Sequence, residues 1–147
     1  MASHPVTNFE TSAADLKRTG LDFLSKGENE QALASFNKAI GLEIKEFGER
    51  HPHVGCTLVS IGGILQSQGK YDEALKKFDE AFNILQNDAV HKSALGVIYL
   101  NKGNCYLSLG DTEKALANFK EAIAAKQQVY GENHVEVSCL FKHNVFA

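Results

Sequence analysis

The chain has 147 residues, of which 44% are hydrophobic, and a formal net charge of −3. This hydrophobic content is enough for a folded core, and the slight acidity argues against a nucleic-acid-binding surface. The three cysteines lack CxxC spacing, and the chain has neither a basic leader before an apolar run nor an apolar stretch of about 18 residues. We therefore expect free thiols and a soluble cytoplasmic protein that does not contact a membrane.

After an N-terminal tail, residues 1–11, one pattern occurs three times. It combines a glycine, an acidic residue, Ala-Leu, a phenylalanine and a second alanine, in "GENEQALASFNKAI" (27–40), "GKYDEALKKFDEAF" (69–82) and "GDTEKALANFKEAI" (110–123). The alanines Ala32, Ala74 and Ala115 are 42 and then 41 residues apart. Apolar residues within each unit follow the i, i+3, i+4 spacing of a helix, and the glycine separates two such runs. Each unit is therefore predicted to be a helical hairpin, with Asp111 as the N-cap of the last second helix.

The segment "GERHPHV" (48–54) lies between the first two units and has an echo, "GENHVEV" (131–137). His51 and His53 flank Pro52, and a metal site would need a third ligand that the neighbouring repeats cannot supply. Proline is favoured in the first turn of a helix, so we expect Pro52 to start one, with both histidines at the surface. No metal or other cofactor is predicted.

Small residues recur where two helices of a unit must approach closely, at Gly20, Gly62 and Gly103. The pair Gly62-Gly63 within a helix is therefore interpreted as close packing rather than as a ligand cradle. Cys105 is expected to fill space in the core. A redox role for Cys56 or Cys139 is disfavoured because no cation clearly lies beside Cys56 to lower its pKa.

These features resemble the tetratricopeptide repeat family. The family pattern is roughly an aromatic residue or leucine, then Gly, Tyr, Ala, Phe, Ala and Pro. It maps to Leu16, Gly20, Phe23, Ala32, Phe36 and Ala39, then to Leu58, Gly62, Leu65, Ala74, Phe78 and Ala81, then to Tyr99, Gly103, Tyr106, Ala115, Phe119 and Ala122. The first-position tryptophan is absent, and the closing proline is replaced by Ile44, Gln86 and Gln127. The period of 41–42 residues, with a joint of the form GE-x-H-P-x-V, is similar to repeats of the kinesin light chain type.

The resemblance implies an all-α fold, an α–α superhelix of three helical hairpins plus a C-terminal capping helix. Residues 12–147 would form one domain, with repeats at about 12–52, 53–92 and 93–132 and a lone final helix at 133–147. A solenoid needs such a terminal element to cover its last core.

The resemblance also implies a protein-interaction module without enzymatic activity, which binds a short peptide in a concave groove lined by the first helices. The groove residues would be Lys17, Leu21, Leu24, Val59, Ser60, Gly63, Gln66, Leu100, Asn101, Asn104, Ser108, Lys142 and His143. They form an apolar trough with amide donors and a lysine at each end, which suits an acidic or partly apolar peptide.

Three further observations bear on function. Of the residues with which some family members bind the C-terminal carboxylate of heat-shock chaperones, Lys17 fits one position, but Leu21 replaces the paired asparagine and Val97 and Asn101 replace a lysine and an arginine, so that clamp is not expected here. The chain contains no phosphate-binding glycine loop, nucleophile elbow or HExxH motif, so catalysis is not expected. The apolar ending at residues 145–147 indicates either a homotypic contact or a piece of a longer array. The first interpretation supports an alternative function, a structural subunit that self-associates through its C-terminal helix.

Overall fold

The computed structural model describes residues 11–130, and within them it contains helices but no strand. The helices are α1 (Ala13–Ser25), α2 (Asn29–Phe47), α3 (Pro52–Ser67), α4 (Tyr71–Leu85), α5 (Lys92–Ser108) and α6 (Thr112–Tyr130). The predicted capping helix at 133–147 and the predicted groove residues Lys142 and His143 lie outside the described residues.

The helices begin at residues that satisfy their free backbone N–H groups. A capping box starts α1, where the Asp15 N–H donates to Ser12 Oγ at 3.1 Å and the Asp15 carboxylate accepts from the Ser12 N–H. Pro52 occupies the first turn of α3, as predicted, while His53 is exposed and His51 is half-buried. The Lys114 N–H donates to Asp111 Oδ1 at 3.1 Å, which confirms the predicted cap of α6.

Glycines end the first helix of each pair. Gly27, Gly69 and Gly110 have φ angles of 75°, 77° and 85°, in the left-handed region that a residue with a Cβ rarely adopts. Because each lies in a connection of three residues, the following helix folds directly back on the one before.

The helices pack in consecutive pairs, α1 on α2, α3 on α4 and α5 on α6, and each pair contacts the next through α2 on α3 and α4 on α5. A Cβ built on Gly20 or Gly62 would lie 2.6 Å from a ring carbon of Phe36 or Phe78, respectively. On Gly103 it would lie 2.5 Å from Phe119. The predicted close approach at these three glycines is therefore confirmed.

Gly63 differs from its neighbour. No atom lies within 4 Å of a Cβ built on it, apart from the chain neighbours and local helix backbone. The prediction that the pair Gly62-Gly63 marks close packing is thus correct for Gly62 and wrong for Gly63. Consecutive helical residues point about 100° apart, so only one of them can face α4.

The core runs through the array rather than forming one central layer. Its buried apolar side chains come mainly from α3 and α4, with others from α2 (Ala32, Phe36 and Ala39), α5 (Ile98 and Cys105) and α6 (Ala115, Phe119 and Ala122). Six helices that pack in consecutive pairs, each pair on the next, form a helical-repeat solenoid, and the predicted all-α fold is confirmed. Among residues 11–130, none of the helices combines the length and apolar character needed to cross a membrane.

Candidate functional site

The first helices of the pairs form one side of the array. Helix α3 contacts α5 directly, and no contact of that extent joins α2 to α4 or α4 to α6. Helices α3 and α5 therefore lie closer together than α2 and α4 or α4 and α6. We call the side formed by α1, α3 and α5 the inner face.

The predicted groove residues of α1, α3 and α5 all lie at least partly at the surface. Leu21 is the most exposed of the apolar ones, at 59%, and Ser108 is also exposed. Leu24 and Val59 are half-buried and pack against the core cluster. The others are half-buried: Lys17, Ser60, Gly63, Gln66, Leu100, Asn101 and Asn104.

Lys17 uses its charge within the protein. Its Nζ donates to Glu43 Oε2 at 2.9 Å, and Glu43 is only 2% exposed. The hydroxyl of the buried Thr57 donates to the other carboxylate oxygen, Oε1, at 2.5 Å. We call Lys17, Glu43 and Thr57 the clasp, because they join α1, α2 and α3.

Glu43 is not among the residues predicted from the sequence, although the sequence contains a signal for it. Glu43 follows Ala32, Phe36 and Ala39 at helical spacing, so it lies on the buried stripe of α2. A carboxylate on such a stripe requires partners, since an unpaired buried charge is costly. The joint between the second and third pairs is apolar at the corresponding positions. One repeat later, Val59 takes the place of Lys17, Leu85 that of Glu43 and Ile98 that of Thr57.

Three amide side chains of the inner face have no partner among residues 11–130. Asn101, Asn104 and Gln66 are half-buried, and no hydrogen bond joins their side chains to that part of the chain. Ser60, in contrast, donates to the Cys56 carbonyl at 3.5 Å. An amide offers both donors and an acceptor, so the asparagines on α5 are available to a peptide main chain.

The inner face has little free charge. Helix α3 contains no charged residue, and Arg18 on α1 pairs with Asp15 at 2.6 Å. Lys102 of α5 pairs with Asp79 of α4 at 2.5 Å. The inner-face positions on α3 and α5 are therefore polar or apolar but uncharged.

The two described cysteines are not activated thiols. Cys105 is 0% exposed, and burial raises the pKa of its thiol to about 11. Burial also raises the pKa of Cys56, with smaller contributions in the same direction from Glu43 and Asp88. Lys17 does lie near enough to lower the pKa of Cys56, contrary to the sequence interpretation, but burial outweighs it.

The opposite side of the array has clefts that were not predicted from the sequence. Two of them, of about 290 and 390 Å³, lie between α2 and α4 and share Glu80 as a lining residue. Their apolar lining is bordered by charges of both signs, which include Glu49, Arg50, Lys76 and Lys77.

The histidines of the first joint stack on an aromatic ring. The ring centroids of Phe47 and His51 are 4.5 Å apart, and those of His51 and His53 are 4.8 Å apart. Across residues 11–130, no three His, Cys, Asp or Glu side chains come together in a way that could hold a metal ion.

Comparison with known sequences identifies relatives of much greater length. The chain is 32% identical over 93 residues to a clustered mitochondria protein homolog of Caenorhabditis elegans. The aligned region covers 63% of this chain and 8% of that protein. It is also 29% identical over 80 residues to a TPR repeat-containing protein of Dictyostelium discoideum. That aligned region covers 54% of this chain and 5% of that protein. The chain thus spans less than a tenth of the length of these relatives.

Solved structures of similar fold include BtubC (BKLC) from P. vanneervenii, with a TM-score of 0.74 and 21% identity, over 83% of this chain and 49% of that one. The TPR domain of Arabidopsis FLU has a TM-score of 0.70 and 28% identity, over 79% of this chain and 95% of that one. The first TPR of Spaghetti (RPAP3), bound to the HSP90 peptide SRMEEVD, has a TM-score of 0.67 and 13% identity, over 92% of this chain and 91% of that one.

Family models give the same result from the sequence. One model of the tetratricopeptide repeat matches residues 12–87, which is more than half of the chain, and a second matches residues 96–128. The first match contains α1 to α4 entirely, and the second contains most of α5 and α6. The chain therefore belongs to the tetratricopeptide repeat family.

Proposed function

We propose that the protein is a non-enzymatic interaction module that holds a short peptide segment of a partner protein along its inner face. The observation that carries this proposal is the pair of half-buried asparagines on α5, Asn101 and Asn104, whose amides have no partner among residues 11–130. They lie beside apolar side chains such as Leu100 and the exposed Leu107. Amides that bind a main chain, next to apolar pockets that bind side chains, are a recurrent arrangement for peptide recognition.

A related fold supports the proposal. The Spaghetti domain was solved with an HSP90 peptide bound, which shows that a domain of this fold can hold a peptide. The same peptide is not expected to be the ligand here, because Leu21 and Val97 occupy positions where the chaperone-binding pattern needs polar or basic residues. We place the protein in the cytoplasm, where its free thiols would remain reduced.

The test is capture of partners by the double variant Asn101→Ala with Asn104→Ala. We expect partner recovery in a pull-down with mass spectrometry to fall, while helicity measured by circular dichroism stays unchanged. The matched control is Asn37→Ala with Asn83→Ala, which removes two exposed amides from α2 and α4 on the opposite side. Equal recovery by the double variant and the wild type would overturn the choice of the inner face.

A second candidate function rests on the apolar residues 145–147, at the end of the proposed capping helix 133–147. In this proposal residues 12–147 form one array of repeats of the kinesin light chain type, and its last helix docks a second copy. Sedimentation at several protein concentrations tests it. A monomer at every concentration would exclude self-association, whereas a dimer lost in Phe146→Asp would support it.

A further inference from the structure

We propose that the ligand of the inner face is an uncharged, extended peptide whose main chain passes against α3 at Gly63 and is bound by Asn101 and Asn104. This inference rests on the proposed function, and it specifies the chemical class of the ligand. It departs from the acidic alternative of the sequence expectation, which depended on a lysine at each end of the groove, Lys17 and Lys142, of which Lys17 is paired with Glu43 and Lys142 lies outside the described residues.

Gly63 favours a peptide that lies close to α3. Glycine in a helix interior costs about 1 kcal/mol relative to alanine, and close packing or the close approach of a ligand can be the reason for it. Packing supplies that reason at Gly62 but not at Gly63, where a Cβ would have open space. A glycine that faces open space on a binding surface allows another backbone to approach the helix closely.

The ion pairs of α1 favour an uncharged ligand. An acidic peptide needs an uncompensated cation, but Lys17 is held by the buried Glu43, and Arg18 is paired with Asp15. Drawing Lys17 away would leave a carboxylate that is 2% exposed without its counter-ion. Helix α3, against which the peptide would lie, has no charged residue.

The spacing of Asn101 and Asn104 on α5 fits an extended peptide. Asn101 and Asn104 are three residues apart on α5, so their side chains leave the helix about 5–6 Å from each other. Alternate residues of an extended chain are about 6.6–7 Å apart and present their main-chain groups on the same side. Asn104 on α5 is also the repeat equivalent of Gly63 on α3, because Asn104 follows Gly103 just as Gly63 follows Gly62. The two asparagines can therefore bind main-chain groups of a peptide that crosses α3 at Gly63.

The experiment starts with selection of binders from a phage-displayed library of random linear peptides. We expect the enriched sequences to be depleted in Asp, Glu, Lys and Arg relative to the input library. We also expect the affinity of a synthetic enriched peptide, measured by fluorescence anisotropy, to change less than about twofold when salt is raised, because no charge pairs are screened. Enrichment of acidic peptides with strong salt dependence would overturn the inference and leave peptide binding intact. No enrichment of any peptide would overturn the proposed function itself.

Two matched variants then locate the peptide. Gly63→Leu fills the open space on α3 and should weaken the enriched peptide by about tenfold or more, or 1.4 kcal/mol. Gly41→Leu makes the same change on α2, at a glycine that also has no neighbour within 4 Å, and should leave the affinity unchanged. Leucine is the better helix former, so both variants should remain folded. Unchanged affinity in Gly63→Leu would overturn the contact with α3.

Discussion

At the scale of single residues, the clasp determines the chemistry of the first joint. Glu43 is buried, and its two oxygens accept from Lys17 and Thr57, which belong to different helices. A buried charge pair adds little net stability but is costly to break, because the remaining partner loses its compensation. The clasp is therefore expected to fix how the first helix pair sits on the second.

Substitutions at the clasp test this interpretation. Glu43→Ala should lower the free energy of unfolding by about 2–4 kcal/mol, because it removes both hydrogen bonds and creates a cavity. The combination Lys17→Val, Glu43→Leu and Thr57→Ile installs the residues of the second joint and should be neutral or stabilising, by up to about 4 kcal/mol. Urea unfolding measures both variants. A combined variant as unstable as Glu43→Ala would contradict the interpretation.

The buried Cys105 predicts a pH dependence. Its pKa in the folded chain is raised by burial to about 11 from an ordinary value of 9.0. As the pH rises, the unfolded chain releases the thiol proton first, so the contribution to stability is complete below about pH 9 and is lost progressively toward pH 11. We expect the free energy of unfolding of the wild type to fall more steeply across this range than that of Cys105→Ala. Parallel pH profiles of the two proteins would show that the thiol is not protected in the folded state.

At the scale of helices, adjacent glycines on α3 should respond to alanine in opposite directions. Gly62→Ala pushes a methyl group against the fully buried Phe78 and should cost about 1–3 kcal/mol. Gly63→Ala meets nothing within 4 Å and should stabilise the protein by about 0.5–1 kcal/mol through helix propensity alone. Urea unfolding of the two single variants gives the comparison. A loss of stability in both would mean that Gly63 also has a packing role.

The helices were predictable from sequence because their determinants are local. Helical spacing, the glycine turns and the Gly20–Phe36 type of contact occur three times, so each occurrence supports the others. The pairing of Lys17 with Glu43 was not predictable in this way, because it joins two helices and has no counterpart in the other repeats. The open space at Gly63 was not predictable either, because it depends on which side of α3 faces α4. Gly62 and Gly63 are the same residue type, so residue type does not show which of the two is packed.

The candidate site was predictable only in outline. The resemblance assigned the first helices to the binding face, and the residues named on α1, α3 and α5 do lie at the surface. It did not show that the charge of Lys17 is used internally while the amides of Asn101 and Asn104 are unpaired within residues 11–130. Whether these residues bind a peptide stays a prediction.

At the scale of the whole molecule, the array is held together by contacts between neighbouring pairs. The α1–α2 pair contacts the rest of residues 11–130 chiefly through α2 on α3. Stability in such an array is approximately a sum of unit and nearest-neighbour terms, so one end can open while the other remains folded.

Hydrogen exchange of the Glu43→Ala variant tests this local opening. We expect faster exchange of the amides in α1 and α2, because the clasp is lost there, and unchanged exchange in α5 and α6. The control is Cys105→Ala, whose cavity lies between α5 and its neighbours and should accelerate exchange at that end. Uniform acceleration along the whole chain in Glu43→Ala would show that residues 11–130 unfold as one cooperative unit.

The clasp also constrains how such an array could be rearranged by duplication or shuffling of its pairs. If the α5–α6 pair directly followed α1–α2, Ile98 would take the position of Thr57, and the buried Glu43 would lose its hydroxyl donor. A buried acceptor left without its partner costs about 1–3 kcal/mol, and more when it is charged. The second joint is apolar at the corresponding positions and carries no such requirement for a particular neighbour. The order of the first two pairs is thus specified chemically, and copies of a pair would be accepted more readily after α4 than after α2.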